Sequence, residues 1–172
     1  MLRTCRLLAG LALLALAVTA RAGDQRRNPF GVEDVPDPYG EDVKQFAAAA
    51  RLPGGPNDKN AAQWVRTVTE ARTNGIDGEW AGRWEAGVGV ARIKTVRGRV
   101  YVLYTDKEGQ FQGRSWLLEA VREGNRLVGR WHQVGNPGDT GPYVGLIVND
   151  ERIDGMWGGG DGGRWDFRRR LK

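Results

Sequence analysis

At five places in this chain a glycine stands two residues before a tryptophan: Gly78-Glu79-Trp80, Gly82-Arg83-Trp84, Gly129-Arg130-Trp131, Gly155-Met156-Trp157 and Gly163-Arg164-Trp165. Side chains alternate along a strand, so the glycine and the tryptophan of each pair share a face. The residue between them faces the other way, and in three of the five it is arginine. The pattern sorts the faces: indole rings inward, glycines making room for a ring from a neighbouring strand, arginines toward water. Residues 79–86 show it most fully. Trp80, Gly82, Trp84 and Ala86 fall on one face, and Glu79, Ala81, Arg83 and Glu85 on the other.

The same chemistry continues to the C-terminus. Of the 26 glycines, 19 lie between Gly78 and Gly163, where they separate short alternating segments. The alternation predicts strands at 79–86, 88–96, 99–105, 112–122, 126–134, 142–149, 152–158 and 163–169. Arg97-Gly98, Asp106-Lys107-Glu108-Gly109, Glu123-Gly124-Asn125 and Asn149-Asp150 have the composition of tight reversals and hairpin loops. Short strands joined by short turns form a meander, and closing it into a barrel removes its edges. Ile76-Asp77-Gly78-Glu79-Trp80 and Ile153-Asp154-Gly155-Met156-Trp157 form a near-repeat at the two ends of the meander, which suits closure. The expected fold is mainly β: a small antiparallel up-and-down barrel of about eight strands over residues 76–172, preceded by one or two short helices.

The N-terminus sets the expected compartment. Arg3 and Arg6 precede an apolar run of 12 residues, Leu7 to Val18, and Ala20-Arg21-Ala22 places small residues where a signal peptidase reads. Residues 1–22 are therefore expected to be a signal peptide cleaved after Ala22. The run falls short of the about 20 apolar residues that a membrane-spanning helix needs. The protein is expected to be exported, to the periplasm or outside the cell, with no transmembrane segment in the mature chain. Cys5, the only cysteine, lies in the signal, so the mature chain has no thiol for a disulfide. The signal also carries three of the 26 basic residues and no acid; the mature chain has 23 basic against 21 acidic side chains. That balance does not point to a nucleic-acid partner. The cluster Arg168-Arg169-Arg170-Leu171-Lys172 reads as a solvated chain end.

Residues 23–58 read as a Pro/Gly-rich linker with a short helix at Glu41 to Leu52. Acids open this helix and Pro53-Gly54-Gly55-Pro56 ends it. A second helix is expected over 59–75, capped by Asp58. Ala61, Trp64, Val65, Val68 and Ala71 give it an apolar stripe that needs a surface, either the barrel or a partner protein.

The opening Gly-x-Trp strand, the meander and a late-strand arginine resemble the calycin group of lipocalin-type and avidin-type barrels. In size they also resemble the small periplasmic protease-inhibitor barrels. The lipocalin pattern is similar to Gly82-Arg83-Trp84, and the resemblance implies that Arg168 or Arg170 covers the tryptophan. It further implies a ligand at the barrel mouth, or inhibition of a protein partner.

The tryptophans have two roles open to them. Each ring buries about 150–250 Å², worth roughly 4–6 kcal/mol gross, and a small domain without disulfides needs such burial for its core. The alternative is a pocket wall, since an eight-stranded barrel is wide enough either to be filled by side chains or to hold one small ligand. The candidate ligand-binding residues are Trp80, Trp84, Trp131, Trp157, Trp165, Tyr101, Tyr104 and Tyr143. No catalytic set stands out. Ser115 is the only serine and His132 the only histidine, and alternation turns both away from the neighbouring tryptophans, toward the surface. One histidine and no mature cysteine give no zinc site, and no cofactor motif is present. The function expected is a binding module for a small or glycan-like ligand in the cell envelope. A protein-interaction or inhibitor-like module and an unrecognised hydrolase are the alternatives.

Overall fold

The computed structural model describes residues 28–35, 37–52, 75–84, 87–158 and 162–169. Among the described residues one helix, α1 (Glu41–Ala49), precedes eight strands: β1 (Gly78–Trp84), β2 (Gly87–Val96), β3 (Arg99–Gly109), β4 (Ser115–Glu123), β5 (Arg126–Gln133), β6 (Asn136–Asn149), β7 (Arg152–Trp157) and β8 (Gly163–Arg169). Each strand pairs antiparallel with the next, and β1 pairs with β8, so the sheet closes into the expected barrel. The expected signal peptide lies outside the described residues. So does the helix expected over 59–75, apart from Gly75.

Two elements run longer than expected. β3 continues through Asp106 to Gly109, and the reversal follows at residues 110–113. β6 begins at Asn136. Both extensions carry register shifts, at Val88/Gly89 and at His132/Gln133. Such bulges bend a barrel strand at its rim. At the other end, Arg97 and Gly98 make the tight reversal with φ 51° and 79°, the mirror-image turn that matches strand twist.

Glycine makes room for rings as cross-strand pairs. Gly82 lies opposite Gly89, and a Cβ on either would fall 2.6 Å from the Tyr104 ring. Gly145 lies opposite Gly155, and the Tyr143 ring occupies the space that their side chains would take. Gly129 is different: a Cβ there would strike the backbone of β4 at Glu119 and Ala120, so this glycine brings two strands close together.

β1, β3, β5 and β7 all finish at one end, here called the mouth; the opposite end is the floor. The floor is packed with Ile76, Trp80, Ile93, Val100, Leu127, Ile147 and Ile153, all buried. Trp80 Nε1 donates to the Ile76 carbonyl at 2.9 Å. The Arg169 guanidinium lies 4.9 Å over the Trp80 ring and donates to the Gly75 carbonyl. The arginine that covers a tryptophan is thus Arg169 over Trp80. Arg168 lies on the outer face, donating to Asp154 at 2.9 Å and to the Ile153 carbonyl. Arg170 lies outside the described residues.

The outer wall is partly covered by the segment read as linker. On α1, Val43 and Ala47 are four residues apart and share a face. With Ala50 and Leu52 they pack on outward-facing Val128, Val144 and Leu146. Glu41 and Asp42 favour the helix start. β5 fastens the helix at two points: Arg126 donates to the Ala47 carbonyl at 2.8 Å, and Arg130 pairs with Asp42. Upstream, Phe30 sits under Arg92 and Lys94 of β2, and Glu33 reaches the Gly135 amide. Glu33 also stands 3.7 Å from His132, and the outward-facing Tyr101, Leu117 and His132 of β3 to β5 are buried.

Candidate functional site

The mouth is built from aromatic rings around Trp84, the last residue of β1. Its ring centroid lies 4.9 Å from Trp116, 5.4 Å from Phe111, 6.2 Å from Trp157, 6.3 Å from Tyr104 and 6.4 Å from Trp165. Trp131 joins through Trp157, edge to face at 5.8 Å. Trp84 and Trp157 are half-buried at the rim, while Trp116, Trp131 and Trp165 are buried. Alternation from Trp80 and Gly82 places Trp84 here, and the Gly82–Gly89 pair leaves room for the Tyr104 ring, which meets Trp84 edge-on. Phe111, in the turn after β3, closes over Trp84 and Trp116, and Arg114 stacks 5.2 Å from its ring.

Unmatched indole, phenol and carboxylate atoms gather at this end, while at the floor end the Nε atoms of Arg126 and Arg169 are the unmatched buried side-chain atoms among the described residues. Trp84 Nε1, Trp131 Nε1, Trp157 Nε1, Trp165 Nε1, Tyr104 OH and both carboxylate oxygens of Asp106 are buried without a hydrogen-bond partner. Native interiors pair the large majority of such groups, because each unmatched one costs about 1–3 kcal/mol. Asp106 is fully buried on the inner face of β3, two residues beyond Tyr104. A Cβ on Gly87 would fall 2.8 Å from its Oδ1. Burial first, and the Asp106 charge second, push the Tyr104 phenol well above its usual pKa, so it stays a neutral hydroxyl. The end therefore offers indole N–H donors, a hydroxyl that can donate or accept, and a carboxylate acceptor. Beside Trp84 a cleft of about 340 Å³ opens between β1 and β8, lined by Arg83, Trp84, Arg164 and Asp166.

Of the residues singled out in the sequence, the fold brings together Trp84, Trp131, Trp157, Trp165 and Tyr104. Tyr143 lies deeper, its hydroxyl donating to the Trp165 carbonyl at 3.3 Å; burial raises its pKa far above the ordinary value. Trp80 belongs to the floor. Tyr101 points outward and is buried on the outer wall, 3.2 Å from Glu119. Asp106, Phe111 and Trp116 complete the mouth and were not singled out. Inward alternation from Val100, Val102 and Tyr104 is the signal that reaches Asp106.

Ser115 and His132 do not form a nucleophile–base pair. The Ser115 hydroxyl bonds Thr105 at 2.9 Å. His132 is fully buried rather than exposed, because residues 28–35 lie over it. Neither ring nitrogen has a hydrogen-bond partner, and Glu33 stands 3.7 Å away. Burial lowers its pKa, against the opposing charges of Glu33 and Asp34. Among the described residues no group of three or more His, Cys, Asp or Glu side chains could hold a metal ion. No family model matches the chain, and no curated protein or solved structure matches it either.

Proposed function

We propose that this protein is an exported binding module of calycin-like type, taking a small or glycan-like ligand at the tryptophan-lined mouth of its barrel. One observation carries the reading: unmatched buried indole N–H groups, a phenol and a carboxylate gather at one end. A structural core is indifferent to which end holds its polar atoms. A site that exchanges its own unmet hydrogen bonds for those of a ligand has them on the side from which the ligand enters. A ring-shaped, oxygen-bearing molecule suits these donors and the exposed parts of Trp84 and Trp157, and aromatic faces stack on such rings. The signal-like N-terminus supports an envelope location.

The test follows tryptophan emission while small sugars and amino sugars are titrated, in the wild type and in Trp84→Ala. Saturable changes that weaken at least about ten-fold in the variant are expected. Emission that no ligand alters, or binding that Trp84→Ala leaves untouched, would sink the reading.

A further inference from the structure

We infer that the group recognised at the mouth is a compact organic cation, an alkylammonium or protonated amine, held by the Asp106 carboxylate among the surrounding rings. The inference rests on the mouth being the binding site and narrows what that site takes. Both Asp106 oxygens are buried without a hydrogen bond, and no ion pair to Asp106 occurs among the described residues. The contrast with the two other fully or nearly buried acids is direct. Glu119 meets Arg99 at 2.6 Å, and Asp154 meets Arg152 at 2.7 Å and Arg168 at 2.9 Å. Among the described residues an arginine thus meets each of those acids and none meets Asp106. A buried charge without a counter-charge is costly, and a ligand cation removes that cost on arrival.

The neighbourhood suits such a group. Aromatic faces attract cations, and alkylammonium groups are recognised by rings combined with a carboxylate. Tyr104, two residues before Asp106, lies 5.9 Å from Trp116 and 6.3 Å from Trp84. The nearest arginine in the turn, Arg114, is engaged over Phe111 rather than with the carboxylate. Glycine at position 87 leaves the carboxylate its space, since a Cβ there would meet both of its oxygens. The Asp106 backbone also anchors the turn that carries Phe111: its amide donates to the Arg114 carbonyl at 3.0 Å, and its carbonyl accepts from the Gly113 amide at 2.9 Å. The indole N–H groups can donate to oxygens borne by the same ligand. The two ammonium sources to be told apart are a quaternary amine and an amino sugar.

The experiment titrates the purified protein at pH 7 and constant ionic strength with tetramethylammonium chloride, glucosamine, N-acetylglucosamine and sodium chloride, reading tryptophan emission. The wild type and Asp106→Asn are compared, with a melting curve to show that the variant is folded. One or both ammonium ligands should saturate in the wild type, and Asp106→Asn should weaken them by about ten-fold or more. Which of the two binds identifies the source of the cation. If glucosamine binds, it should exceed N-acetylglucosamine by a similar factor; if only tetramethylammonium binds, it should exceed sodium chloride by that factor, and these wild-type comparisons decide the matter if the variant does not fold. Equal binding of the two sugars, or undiminished ammonium binding by folded Asp106→Asn, overturns the inference while leaving the mouth as a ligand site. Silence from every ligand overturns both.

Discussion

The two ends of this barrel are made from the same residue types and solve opposite problems. At the floor, Trp80 has its N–H satisfied by the Ile76 carbonyl and its face covered by Arg169. At the mouth, four tryptophans have no partner for theirs. The buried acids divide too: Glu119 and Asp154, on the outer wall, are paired with arginines, while Asp106, on the inner face at the mouth, is not. A tryptophan in a closed barrel is therefore not evidence of a core or of a site by itself. What its N–H meets distinguishes the two.

The sharpest way to break this comparison is to remove one ring from each end. Trp80→Ala is expected to cost about 3–5 kcal/mol in urea unfolding, as a cavity in a filled core does. Trp84→Ala, at the half-buried rim, should cost less than half as much. Equal losses would mean that the mouth is simply more core.

The acids give the next largest effect, and here the signs differ. Asp106→Asn replaces a buried carboxyl group whose oxygens have no partner, so it should raise stability by about 1 kcal/mol. Asp154→Asn should lower it by about 1–3 kcal/mol, because Arg152 and Arg168 lose their partner. Burial opposes ionisation of Asp154, but Arg152 and then Arg168 outweigh it and hold its pKa below the ordinary value. Thermal melts of both variants check the pair; the same sign in each removes the distinction.

The smallest effect sharpens the comparison on the outer wall at the level of the mouth. Burial depresses the His132 pKa below its ordinary 6.5, so the unfolded chain takes up that proton first. Stability is then unaffected above about pH 6.5 and falls as pH drops below it, by at most about 1.4 kcal/mol per pH unit. His132→Gln should remove that slope from melts recorded between about pH 5 and 7. An unchanged slope would mean that another group titrates there.

The inner surface of the barrel was legible because Gly-x-Trp alternation is a local property, and β8 falls on the residues expected of it. Asp106 was missed for an equally local reason. Asp106-Lys107-Glu108-Gly109 has the composition of a turn, and only pairing with Gly87–Gly89 across a bulge keeps it in strand. Trp116 lacks the glycine two residues before it. His132 was correctly turned outward, but outward became buried once a segment a hundred residues earlier lay over it, and no periodicity records that. The covering arginine moved by one position because Trp80, not Trp84, is the ring at the closed end.

The covering of the wall by residues 28–52 also orders assembly in time. Val43, Ala47 and Leu52 leave the ribosome, and then any export channel, long before Val144 and Leu146 exist to receive them. Until the last hairpins form, this early stretch has nowhere to settle and must be kept from sticking elsewhere. Its polar dress, the exposed Glu41 and Lys44 paired with each other, suits a latecomer that docks last.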